Sequence, residues 1–242
     1  MKFTIFPALL VATFTSAATA QSIESPSIKA GDTWTYRTTV EKGSSGWTQT
    51  HDEITVLRAT STAVYYSTKQ SGSTQAPQDS ISGLDWSRMR SVDGKETVVN
   101  KPLSFPLSPG KSWSIQYTDQ HPNKAHKYEQ WDHDYKVVGF ETVEVPAGTF
   151  SAIKIEEEGK WIAELEPART VVQTAQATST DTSVATQVHK TDGETARGRT
   201  YKAFWYVPEV KRWVKSVEEY YGANGQRNER YTGELESFKV GN

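Results

Sequence analysis

Apolar and polar residues alternate over short stretches of this 242-residue chain, and turn residues separate the stretches. Trp34-Thr35-Tyr36-Arg37-Thr38-Thr39-Val40 places Trp34 and Tyr36 on one face. In Glu53-Ile54-Thr55-Val56-Leu57-Arg58, Ile54 and Val56 share a face, and Ala63-Val64-Tyr65-Tyr66-Ser67 follows in the same style. A period of two marks a half-buried strand rather than a helix. The turn signals agree. Asp93-Gly94 stands between residues 85–91 and 95–99 and predicts a type I′ hairpin, whose two central residues both take positive φ. Pro146-Ala147-Gly148 divides 135–145 from 150–156, Pro208-Glu209 divides 200–207 from 211–221, and Asn224-Gly225 precedes a last strand in 228–240. Strands joined by such turns predict an antiparallel meander rather than βαβ units.

Composition points the same way. After residue 20 the chain has only six leucines, while the whole chain has eight tryptophans and eleven tyrosines. Aromatic and β-branched residues suit a pleated, half-buried surface. The expected fold is all-β with few helices: a curved antiparallel sheet, half-barrel or sandwich, with two β-lobes as an option. The expected division is 21–100 for an N-terminal lobe and 101–242 for a C-terminal lobe.

Two stretches break the pattern. Residues 71–78 read as a loop. Residues 170–198 are dominated by Thr, Ala, Ser, Gln and Val, a composition that cannot build a core, and are expected as an inserted hairpin with its tip near 178–183. A weak repeat is also visible. Ala30-Gly31-Asp32-Thr33-Trp34 resembles Pro109-Gly110-Lys111-Ser112-Trp113, and His51-Asp52-Glu53-Ile54-Thr55-Val56 resembles His133-Asp134-Tyr135-Lys136-Val137-Val138.

The N-terminus adds a compartment. Lys2, the apolar run from Phe3 to Phe14 and the small residues Ala18-Thr19-Ala20 have the order of a cleavable export signal. The run is too short for a membrane span, and no later segment supplies one. Cleavage after Ala20 leaves an exported protein of the periplasm or the extracellular space with no transmembrane anchor. There is no cysteine, which removes disulfides, thiol catalysis and thiolate metal ligation. The net charge is −2, and losing Lys2 makes it −3; with no basic stripe, nucleic acid is not an expected partner.

Motifs for chemistry are sparse. His121, His126, Asp132, His133 and Asp134 are metal-ligand types, yet on one strand His126, Asp132 and Asp134 share a face while His133 points the other way with Glu129 and Trp131. These residues are expected on a solvated hairpin, with no metal. No Gly-x-Ser-x-Gly elbow, phosphate loop or dinucleotide fingerprint occurs, so no cofactor and no catalytic residue are assigned. Glu156-Glu157-Glu158 reads as a solvated strand end, with Glu156 and Glu158 on one face. The aromatic hairpin around Pro208 is the most informative feature. Trp205, Tyr206 and Trp213, with Trp131 and Trp161 as candidate additions, either fill a core or line a ligand surface; these three are the candidate ligand-binding residues.

Val145-Pro146-Ala147-Gly148-Thr149-Phe150, then Phe204-Trp205-Tyr206-Val207-Pro208-Glu209-Val210 and Trp213-Val214-Lys215, resemble a pattern in uncharacterised exported proteins of Gram-negative bacteria. Phe105-Pro106-Leu107 with Gly110 and Trp113 fits it too. Those domains of unknown function are distantly similar to the half-barrels of periplasmic lipoprotein carriers. The resemblance spans about residues 102–240 and implies a fold rather than an activity. The leading expectation is a non-enzymatic exported protein that binds a lipid or other apolar or amphipathic small molecule, or an envelope protein. The second is a hydrolase of wall polymers or peptides, which His126 or His133 beside a carboxylate in a cleft would favour. The third is a structural subunit of an envelope assembly, docking through the 170–198 segment.

Overall fold

The computed structural model describes residues 22–177, 182–191 and 193–241. The expected export segment and cleavage site lie outside the described residues, as does the expected tip at 178–181. The strands are β1 (Thr33–Lys42), β2 (Trp47–Ala59), β3 (Ala63–Gln70), β4 (Gln78–Gly83), β5 (Arg88–Val92), β6 (Lys95–Asn100), β7 (Ser112–Gln120), β8 (His126–Val145), β9 (Gly148–Leu165), β10 (Ala168–Ala177), β11 (Thr182–Thr191), β12 (Thr195–Val207), β13 (Arg212–Tyr221) and β14 (Arg227–Lys239). No α-helix occurs among the described residues.

Ten strands form one antiparallel sheet in the order β4-β3-β2-β1-β14-β13-β12-β9-β8-β7. Its end strands β4 and β7 do not pair with each other, so the sheet stays open. Strand β1 pairs with β2 on one side and β14 on the other, which joins the first four strands to the last ones in a continuous ladder. The turns act as their residues dictate. Asp93 and Gly94 have φ of 51° and 76° and close the β5–β6 hairpin, which forms its own two-stranded ribbon. The Thr/Ala-rich stretch is a second separate ribbon, β10–β11, beyond the paired ends of β9 and β12. Pro167 precedes it, where a missing backbone N–H interrupts the ladder.

The weak repeat has a common geometry. Gly31 and Gly110, with φ of 87° and 85°, turn the chain into a tryptophan-bearing strand. Gly31 N–H donates to Val56 O at 2.8 Å and Val56 N–H to Asp32 O at 2.9 Å; Gly110 N–H donates to Val137 O at 2.9 Å and Val137 N–H to Lys111 O at 2.8 Å. A β-bulge follows each valine and turns Leu57 and Val138 outward to 50% and 48% exposure.

The sheet has an inner and an outer face. On the outer face, ion pairs such as Arg37–Glu234 and Lys160–Asp132 cross the strands. The inner face carries the core under the β5–β6 ribbon and the segments around Trp86, Leu103 and Leu107. Trp86 meets Trp34 edge-on at 5.4 Å and Trp213 at 6.2 Å. Arg212, 7% exposed, lies 3.9 Å from the Trp86 ring centre and 4.2 Å from that of Trp213. Its Nε and Nη1 have no hydrogen-bond partner, and burial lowers its pKa below the ordinary arginine value. The charge is therefore held by ring faces and by the Tyr36 hydroxyl. Arginine suits this because its flat guanidinium stacks and is weakly hydrated, whereas lysine is a compact, strongly hydrated charge. Arg212→Lys should cost about 1–2 kcal/mol of stability by chemical denaturation.

Candidate functional site

Strands β7, β8, β9, β12 and β13 bring one set of side chains to the inner face. The register aligns Ile115, His133, Gly159, Thr200 and Tyr220 across them. Directly opposed inward residues make the cross-strand contacts that order a sheet surface. Trp113 stacks on Tyr135 at 5.4 Å, Tyr117 on Trp131 at 6.2 Å, and Trp131 on His133 at 5.5 Å. The Trp131 indole N–H donates to Glu129 Oε2 at 2.9 Å, which fixes the ring.

Beneath this aromatic row lies a buried polar pair. His133 Nδ1 and Glu157 Oε1 are 2.6 Å apart, with side-chain exposures of 3% and 0%. Thr200 Oγ1 donates to the same carboxylate oxygen at 3.2 Å. Gly159 leaves room for this arrangement, since a Cβ there would lie 2.7 Å from His133 Nδ1 and would overlap Thr200 Oγ1 and Glu157 Oε1. His133 Nε2 and Glu157 Oε2 are buried without a hydrogen-bond partner.

Two adjoining cavities open above this floor. One, of about 480 Å³, is lined by Arg88, Arg90, Tyr117, Trp131, His133, Thr200, Lys202 and Tyr220, with Met89 and Val99. The other, of about 400 Å³, includes Tyr36, Asp52, Arg212, Trp213 and Glu218. Arg88 and Tyr220 belong to both, so the two form one trough. The β5–β6 ribbon roofs it and is tied down: Arg90 pairs with Asp119 at 2.6 Å, and Gln120 N–H donates to Asp93 Oδ1 at 3.2 Å. Burial raises the pKa of the Tyr117 and Tyr220 phenols above the ordinary tyrosine value, which keeps both neutral.

The three aromatic candidates of the Pro208 hairpin are not together. Trp213 lines the second cavity. Tyr206 is fully buried against Phe105 at 5.5 Å. Trp205 lies on the outer side, its indole donating to Glu141 with Lys154 and Lys215 near its ring. Trp131, by contrast, stands in the first cavity, and Trp161 packs against it at 5.9 Å.

Two expectations need correction. His133 and Glu157 are not solvated hairpin and strand-end residues but 2% and 0% exposed. The bulge between His126 and Tyr128 also moves His126 to the inner face, where its Nδ1 is 2.6 Å from Glu129 Oε1. Asp132 and Asp134 do face outward, to Gln116 and Ser114. The hydrogen bond from Gln116 and the charge of Lys160 hold the Asp132 carboxyl below its ordinary pKa. Among the described residues, no three His, Cys, Asp or Glu converge as metal ligands.

No family model and no curated protein matches the chain. Two solved structures are similar in shape. One is an exported protein with a YmcC-like fold from Bacteroides fragilis, at 16% identity and a TM-score of 0.43, covering 90% of this chain and 100% of that one. The other is a lipoprotein from Parabacteroides distasonis, at 15% identity and a TM-score of 0.43 over the same shares.

Proposed function

We propose that this chain is an exported, non-enzymatic binding protein that takes an amphipathic small molecule into the inner-face trough. The observation that carries this reading is the joined trough, whose lining combines the rings of Tyr117, Trp131, Trp213 and Tyr220 with the charged groups of Arg88, Lys202 and Glu218. Such a lining suits a ligand with flat apolar faces and polar edges better than a bare acyl chain, since the aliphatic contributions come only from Ile54, Met89 and Val99. The His133–Glu157 pair lies at the floor of the trough, and Thr200 donates to the carboxylate rather than to the imidazole. The N-terminal charge, apolar run and Ala18-Thr19-Ala20 support export.

The hydrolase reading keeps one favourable observation, a histidine bonded to a carboxylate at the floor of a cleft. A single experiment separates the two. Tryptophan fluorescence is titrated with sugars, aromatic carboxylates and lysophospholipids, and chromogenic esters and glycosides are offered in parallel. Saturable binding without turnover is the expected result. Turnover that disappears in His133→Gln would establish the hydrolase instead.

A further inference from the structure

The larger cavity holds more positive charge than its neighbours pair. Its lining includes Arg88, Arg90 and Lys202 and no acidic residue. Arg90 is taken by Asp119. Arg88 and Lys202 make no ion pair with any described residue. Lys202 is only 7% exposed, yet it lines the cavity. Its register neighbours on the inner face are Glu157 and Glu218. Neither closes on it: Glu157 Oε1 is held by His133 and Thr200, and Glu218 accepts from Tyr220 at 3.3 Å and lines the other cavity. Lys202 and Arg88 therefore stand in the cavity with no carboxylate at ion-pair distance, and an anionic ligand group would supply one.

An independent feature stands in the same cavity. Tyr117 and Trp131 both line it with their rings within 14° of parallel, and the Trp131 ring is fixed through its bond to Glu129. Indole faces pack on the C–H faces of sugar rings while polar groups take the edges. The spacing sets the size. Through the register, Lys202 and Trp131 lie four residues along and two strands across the sheet. That is about 16 Å between their backbones, with side chains standing roughly perpendicular to the sheet. A single sugar ring does not bridge them, and two linked rings do.

We propose that this cavity binds an acidic disaccharide, its carboxylate on Lys202 and Arg88 and a ring on Trp131. This rests on the binding reading above and names its ligand class. Digalacturonic acid, its methyl ester and maltose, each titrated by calorimetry into the mature protein, test it. The acid should bind saturably, and about tenfold or more tighter than the ester or maltose, as expected for a lost charge-assisted hydrogen bond. Lys202→Met should lower the acid to the level of the ester and leave the ester unchanged, with Lys202→Arg retaining part of the difference. The exposed Arg88→Gln gives the same direction if Lys202→Met fails to fold. Equal binding of acid and ester overturns the anion site while leaving the binding reading intact. Absence of saturable binding by all three overturns the acidic-disaccharide proposal, and the broader ligand panel then decides the binding reading by itself.

Discussion

Glu157→Ala is expected to destabilise the fold by about 3–5 kcal/mol, because it strips a fully buried partner from a fully buried histidine. His133 Nδ1 and Thr200 Oγ1 both lose their hydrogen bond. Glu157→Gln keeps an acceptor of the same shape and should cost clearly less, about 1–2 kcal/mol. Replacing both His133 and Glu157 by leucine should recover part of the alanine loss, since no polar group is then left alone. Urea unfolding midpoints measure the series, and an unchanged slope confirms that only stability moved. A loss below about 0.5 kcal/mol for Glu157→Ala, the scale of an ordinary surface change, would mean that the pair is not buried as described.

The second large effect is steric. Gly159→Ala should cost about 2–3 kcal/mol by overpacking the same floor. The glycine is not there for its backbone freedom; its Cα–H faces three side chains that leave no space for a methyl group. Thr200→Ala removes the hydroxyl that lies closest. Combined with Gly159→Ala, it should therefore restore part of the loss, and the double-mutant cycle should show a favourable coupling of about 1 kcal/mol. Additive losses would place the glycine's role elsewhere.

Much of the fold could be read because it depends on local rules. Asp93-Gly94, Pro146-Ala147-Gly148, Pro208-Glu209 and Asn224-Gly225 each separate strands as their backbone preferences require. The even alternation of Trp34, Tyr36, Ile54 and Val56 set the inward face. The large bulged sheet order, with β1 beside β14, could not be read, because 197 residues separate Arg37 from its partner Glu234 and nothing local encodes that pairing.

The candidate site was less legible for a related reason. His133 and Glu157 meet only through the register of β8 on β9, which pairs His133 with Gly159. The alternation within Glu156-Glu157-Glu158 did separate the middle residue from its neighbours, but an acidic run reads as solvent-facing until its partner strand is known. The glycine at 159 was the available signal, since a glycine inside a strand marks a close approach. Lys202 and Tyr220 carried no such mark. The aromatic hairpin drew notice to Trp205, although adjacent strand residues take opposite faces, and only the inward alternation continues into the trough.

The central claim is that ligand sits between the inner face and the β5–β6 ribbon. The eight tryptophan indole N–H resonances of the protein test it most directly, because they sample both faces. With digalacturonic acid, or with the tightest compound of the ligand panel, the account predicts shifts at Trp131 and Trp213 and none at Trp47 and Trp205. Shifts confined to Trp47 or Trp205, with Trp131 unmoved at saturation, would contradict it.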